Sequence, residues 1–202
     1  MPEYQHSCFI SYKHPPRFSD GSGVSSHFWD EFVRAFKERL ESRLTIGLSA
    51  YWDQRLRSAP GVKYPSELAQ RLCRSVCMIA ILVPEYFESS WCLAEWKAME
   101  RLEQERTANS SSISFIIPIL FRGDRAKAEE FCGHRGCTDF TNIYRPAIQL
   151  NTKDSRRTFE DIARQVSTLA KIKSPTDCSK FLIHNGEEVI QPSLDDDPNP
   201  LV

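Results

Sequence analysis

One carboxylate falls on the wrong side of a helix. Residues 91–106 carry helical periodicity, and at about 100° per residue their side chains can be placed around an axis. With Cys92 at zero, Met99 falls at about −20°, Trp96 at about +40°, Leu102 at about −80° and Trp91 at about −100°. Together they form an apolar arc. Glu95 falls at about −60°, in the middle of that arc. Lys97, Glu100 and Arg101 lie on the opposite side, where charge is expected. Glu103, at about +20°, also intrudes, but near the helix end, where exposure is easier.

A carboxylate among apolar neighbours is costly unless it is paired or faces a wet cleft. Glu95 therefore has two readings. It pairs with an Arg or Lys or reaches solvent at the edge of the arc, or it lines a pocket. Trp91 lies one turn earlier on the same face. An aromatic plate beside a carboxylate suits a ligand with a flat base and a sugar.

The elements that must position these residues alternate. Cys8–Ser11 reads as a buried strand, and a long connection with Pro15, Pro16, Gly21 and Gly23 follows it. That loop is long enough to be a candidate lid. Phe28, Phe32, Phe36 and Leu40 recur every four residues and predict a helix over 27–43, capped by Ser25 or Ser26. Leu48–Trp52 is a second strand, and 53–64 a polar loop containing Pro60-Gly61. Pro65 opens a helix to about Arg74. Val76–Val83 is apolar on both faces, as a strand of a covered parallel sheet must be. Ser89 or Ser90 caps the Glu95 helix. Ser114–Phe121 is a fourth strand, 125–132 a short helix, Pro146–Leu150 a weak fifth strand and 156–171 a last helix.

Strand and helix in alternation argue an α/β fold around a parallel sheet. Such sheets bind ligands beyond the carboxyl ends of their strands. In the order 2-1-3-4-5 the crevice lies between strands 1 and 3. Their ends are Ser11-Tyr12-Lys13-His14 and Pro84-Glu85-Tyr86, and the second leads into the Glu95 helix. Lys13 is either a phosphate-holding group or a solvated loop lysine. From Ser174 the chain turns Pro- and Asp-rich, so 1–173 reads as one domain and 174–202 as a tail or linker, with Phe181-Leu-Ile183 a short apolar patch that could dock.

Several function classes are disfavoured. With 26 Lys+Arg against 27 Asp+Glu, composition gives no case for direct nucleic-acid binding, although Arg55, Arg57 and Lys63 cluster. The longest apolar run, Val76–Val83, is far short of the ~20 residues of a membrane span. The N-terminus lacks the features of a signal peptide. Seven cysteines, an odd number, then read as reduced thiols of a cytoplasmic protein. Gly21-Ser-Gly23-Val-Ser-Ser26 lacks the third glycine of a dinucleotide fingerprint. Cys132-Gly-His134-Arg-Gly-Cys137 offers three metal ligands without a fourth, so no metal site is expected. A phospho-receiver would need acidic groups where Tyr12-Lys13 and Pro84-Glu85 stand.

Phe9-Ile-Ser-Tyr12, Tyr51-Trp-Asp53 with its polar loop, and Val76–Val83 followed by Pro-Glu-Tyr-Phe-Glu-Ser-Ser-Trp-Cys-Leu-Ala-Glu-Trp96 resemble TIR (Toll/interleukin-1 receptor) domains over about residues 6–172. Ser90-Trp-Cys-Leu-Ala-Glu95 is similar to plant and bacterial TIR enzymes nearly residue for residue. The resemblance implies a flavodoxin-like fold, a five-stranded parallel sheet of order 2-1-3-4-5 with helices on both faces. It implies an NAD+ glycohydrolase or cyclase that cleaves the nicotinamide–ribose bond in immune, antiviral signalling. Glu95 falls on the catalytic position, Trp91 on the aromatic that stacks on a base, and Tyr12 and Lys13 on nucleotide-contacting positions. Tyr64 is similar to an aromatic of the BB loop, which follows the second strand. NAD+ would be the substrate, with no cofactor. Partners implied are further copies of the chain, as an oligomer or filament through TIR–TIR contacts, and a sensor or regulatory protein. The alternative is a non-catalytic TIR interaction module.

The chemistry is compatible with one carboxylate. Ordinary glycosidases use two, because the leaving oxygen must be protonated. Nicotinamide leaves from a cationic pyridinium and becomes neutral without an acid. What remains is to stabilise an oxocarbenium-like ribose or trap it covalently.

Overall fold

The computed structural model describes residues 4–13, 26–52, 64–107, 113–141, 153–172, 177–179 and 181, with backbone alone at 26–30, 64–66 and 154. The candidate lid after Lys13, the 53–63 loop with Arg55, Arg57 and Lys63, and the segment Pro146–Leu150 lie outside these residues.

The strands are β1 (His6–Tyr12), β2 (Tyr51–Trp52), β3 (Ser75–Leu82), β4 (Ile116–Leu120) and β5 (Thr138–Asp139). The helices are α1 (Ser26–Glu41), α2 (Tyr64–Cys73), α3 (Ser90–Thr107), α4 (Arg125–Cys132) and α5 (Lys153–Leu169). All strand pairs are parallel, and the sheet order is β2-β1-β3-β4-β5. This is the α/β architecture expected from the alternation, in the flavodoxin-like order that the resemblance implies. α1 packs against α5, and α2 against α3. β3 is buried at every position, as a central strand covered on both faces must be.

The core is aromatic on the α1–α5 side. Phe36 meets Phe159 of α5 at 5.1 Å and Phe140 at 6.1 Å, and Phe32 meets Phe121 at 4.3 Å. Phe32, Phe36 and Leu40 of that four-residue spacing are thus buried on the stripe that α1 turns inward.

Among the described residues the fifth strand comes before the segment expected to form it, which lies outside them. β5 is the dipeptide Thr138–Asp139, paired to Ile119 and Leu120. An edge strand this short is polar and half exposed, so no apolar run marks it. β2 is also shorter than the 48–52 run predicts.

The cysteine expectation is corrected as well. Cys73, the last residue of α2, is disulfide-bonded to Cys178, 105 positions later. Cys178 and Phe181 are both buried, and Arg101 of α3 lies over the Phe181 ring. Folding brings the two Cα atoms to 5.6 Å, within reach of a bond, and no spacing rule in the sequence encodes that. The remaining thiols among the described residues are free.

At the carboxyl end of the sheet, Gly123 has a φ of 118° and its position abuts Pro84. A Cβ there would lie 3.2 Å from the proline ring, so glycine permits β3 and β4 to end side by side. No helix among the described residues is long and apolar enough to cross a membrane.

Candidate active site

The site is assembled by how α3 is held. Its start is fixed by Ser89, whose hydroxyl accepts from the Cys92 amide at 3.4 Å. Its end is clamped by Arg106, buried and donating to the carbonyls of Cys73 at 2.7 Å and Val76 at 2.9 Å. The Arg106 guanidinium also lies over the rings of Tyr4 and Phe115. Glu103 is a second clamp. It is buried rather than exposed at the helix end, because it accepts from the Phe115 amide, the Ser114 hydroxyl and Arg135. A buried carboxylate with several donors is satisfied.

With α3 fixed in rotation, the arc of Cys92, Trp96, Met99 and Leu102 faces the sheet and carries Glu95 with it. Glu95 is only 8% exposed, so the solvent-edge reading does not hold. The Ser11 hydroxyl, on β1, donates to Glu95 Oε2 at 2.6 Å. Ser11 Oγ also lies 2.9 Å from the Tyr86 hydroxyl, in the turn that ends β3. A serine hydroxyl has one proton. With Glu95 ionised, that proton goes to the carboxylate, so Tyr86 donates to Ser11. The result is a relay from Tyr86 to Ser11 to Glu95, joining the ends of β1 and β3 to α3.

The surroundings keep the Tyr86 phenol protonated. Burial, with the Cys92 and Glu95 charges adding, pushes the Tyr86 phenol well above its ordinary range, so it stays a donor. Burial and then Glu95 push the Cys92 thiol up to about 12. Lys13 pulls the same thiol down. Lys13 and Glu95 thus both lie close enough to Cys92 for their opposite charges to act on it.

A family model described as TIR domain matches residues 23–151. The chain belongs to the TIR domain family. The chain is also similar to the disease resistance-like protein CSA1 of Arabidopsis thaliana, 29% identical over 108 residues. That match covers 53% of this chain and 8% of the relative's length.

The TIR sheet brings some of the predicted site residues together. Glu95 and Trp91 share α3, one turn apart, with Trp91 half-buried against the core. Lys13 directly follows β1, on the side of Ser11 by strand alternation. Tyr12 is buried and leaves β1 on the opposite face, away from Ser11 and Glu95. Tyr64 opens α2, and its side chain lies outside the described residues. Ser11 and Tyr86 were visible in the sequence as strand ends without a role. The signal that could have found them is topological: in this sheet order the end of β1 lies beside the end of β3, from which Tyr86 and the Glu95 helix follow. Among the described residues, no group of three or more His, Cys, Asp or Glu is placed to hold a metal ion.

Proposed function

We propose that this TIR domain cleaves NAD+ at the nicotinamide–ribose bond, with Glu95 as its catalytic carboxylate. The observation that carries the reading is a buried carboxylate beside the carboxyl ends of β1 and β3, held by Ser11 at 2.6 Å. A short O–H···O⁻ bond stabilises the ionised form and fixes its direction. Its charge is suited to stabilise positive charge developing on the ribose, or to accept from its hydroxyls. Bond cleavage needs no acid, because nicotinamide departs neutral.

Trp91 supplies an aromatic face beside the carboxylate, and Lys13 a cation for the pyrophosphate. Tyr64 is assigned to the substrate side by resemblance alone, and so is Tyr12, whose ring leaves the other face of the sheet. Capture of the ribosyl cation by water gives ADP-ribose, and capture by adenine gives a cyclic ADP-ribose. The biological setting we assign is immune signalling, and the active form a self-associated one, in which a neighbouring copy's BB loop completes the site.

The test is NAD+ consumption by concentrated protein, with nicotinamide and ADP-ribose products resolved, beside Glu95→Ala. Turnover abolished in the variant supports the reading. Absence of turnover in an assembled wild type would leave a non-catalytic interaction module.

A further inference from the structure

After α5 the chain is tied to the domain at two places. The first is Ile172, whose carbonyl accepts from the Tyr4 hydroxyl at 2.9 Å. The second is an anchor a few residues on, formed by Asp177, Cys178, Ser179 and Phe181. Asp177 Oδ1 accepts from the Ser179 amide at 3.1 Å and from its hydroxyl at 2.7 Å, which closes a turn around Cys178. Asp177 and Ser179 are exposed, while Cys178 and Phe181 turn inward and are buried. Cys178 is bonded to Cys73 at the end of α2, and the Arg101 guanidinium of α3 lies 5.2 Å from the centre of the Phe181 ring.

The covalent link decides whether this anchor holds. Ordering a segment costs backbone entropy at every residue, and burying one phenylalanine offsets only one or two residues of it. A cation–π contact with a side chain as exposed as Arg101 adds little. The domain, by contrast, does not need the anchor for its elements. Every described strand and helix lies at or before Leu169. The end of α2 is held in other ways, by Arg106 donating to the Cys73 carbonyl at 2.7 Å and by the Arg74 amide donating to the Gln70 carbonyl at 2.9 Å. Cys73 is 1% exposed and Cys178 6%, so the sulfur on the surface turn is the one a reagent reaches first.

We propose that the Cys73–Cys178 bond is a latch opened by dithiol reductants, which frees the turn carrying Cys178 and Phe181 from α2 and α3 while the five-stranded domain stays folded. A thiolate of the dithiol attacks Cys178 Sγ, forms a mixed disulfide and expels Cys73 as a thiolate, which takes up a proton. The second thiol of the reductant loses its proton and attacks the first reductant sulfur, expelling Cys178, which is protonated in turn. The protein disulfide is reduced by two electrons, and the dithiol is oxidised to its internal disulfide. Closed, the latch places the start of residues 182–202 beside Arg101 of α3. Open, it no longer does so.

The latch stands independently of the NAD+ chemistry, and so does its test. The full chain, with and without dithiothreitol, is alkylated with N-ethylmaleimide, freed of reductant, mapped by peptide mass spectrometry and cut with chymotrypsin under native conditions. Cys73 and Cys178 should be alkylated only after dithiothreitol. Cleavage after Phe181 should then be at least about 10-fold faster than in the oxidised chain, as local release of a docked segment requires. Cys178→Ser, which carries no adduct at Cys178, should be cut at the fast rate with or without reductant. Both forms should still unfold in one cooperative thermal transition. Equal cleavage after Phe181 in oxidised wild type and in Cys178→Ser would overturn the proposal, because contacts alone would then hold the anchor. So would loss of the cooperative transition on reduction, alkylation of both cysteines without reductant, or a bond that dithiothreitol leaves intact in the folded chain.

Discussion

The hydroxyl of Ser11 sits 2.6 Å from Glu95 Oε2, although the two residues are 84 positions apart. One belongs to the first strand and the other to the helix after the third, and only the 2-1-3 order of the sheet brings them together. The bond fixes the direction of one oxygen of the carboxylate. Ser11→Ala would remove a charge-assisted hydrogen bond of about 1.5–3 kcal/mol. The expected result is a fall in NAD+ cleavage of about 10-fold or more, with the far-UV spectrum unchanged. Tyr86→Phe, one step further along the relay, should fall less. Equal activity in Ser11→Ala and wild type would contradict the positioning role.

Arg106 is the clamp that sets the rotation of α3. Arg106→Met keeps much of the side-chain length and leaves the Cys73 and Val76 carbonyls without its two donated bonds. Stability should fall by about 3 kcal/mol, since each buried acceptor left unpaired costs about 1–3 kcal/mol. Urea denaturation reads this as a lower midpoint at an unchanged slope. A variant within about 0.5 kcal/mol of wild type would show that the clamp is dispensable.

The Cys73–Cys178 bond closes a long loop over the domain. Reduction should lower stability by about 2–4 kcal/mol, the usual effect of such a cross-link. Cys73→Ser should start from the lower value and ignore reductant. A wild-type midpoint that does not move on adding a phosphine would argue against the cross-link.

His6 provides a pH dependence. Burial, with Arg71 and Arg74 adding, lowers its pKa from 6.5 to about 4. Between those values the unfolded chain binds the proton and the folded chain does not, so stability rises with pH. Its contribution is therefore present above pH 6.5 and is lost as pH falls toward about 4. Thermal unfolding across this window should fall more steeply for wild type than for His6→Gln. Parallel curves would contradict the assignment.

Much of the fold was legible because its central elements repeat one physical signal. The apolar run of β3 and the four-residue spacing of Phe28, Phe32, Phe36 and Leu40 need no tertiary information. β5 was not read from the sequence because a two-residue edge strand needs no apolar pattern. Glu103 was misjudged because the helix wheel shows position but not partners, and those come from Ser114, Phe115 and Arg135. Glu95 stood out through the same wheel, as a charge among apolar residues. Its partners Ser11 and Tyr86 did not, because a hydrogen bond between distant segments leaves no local trace.

The central claim is that Glu95 breaks the nicotinamide–ribose bond. It is tested most directly by quantifying nicotinamide released from NAD+ by concentrated wild-type protein and by Glu95→Gln, which keeps the shape and removes the charge. The account predicts steady release by wild type and a loss of at least about 100-fold in the variant, the order expected when a group stabilising transition-state charge is removed. Nicotinamide release at the same rate by both proteins would contradict it.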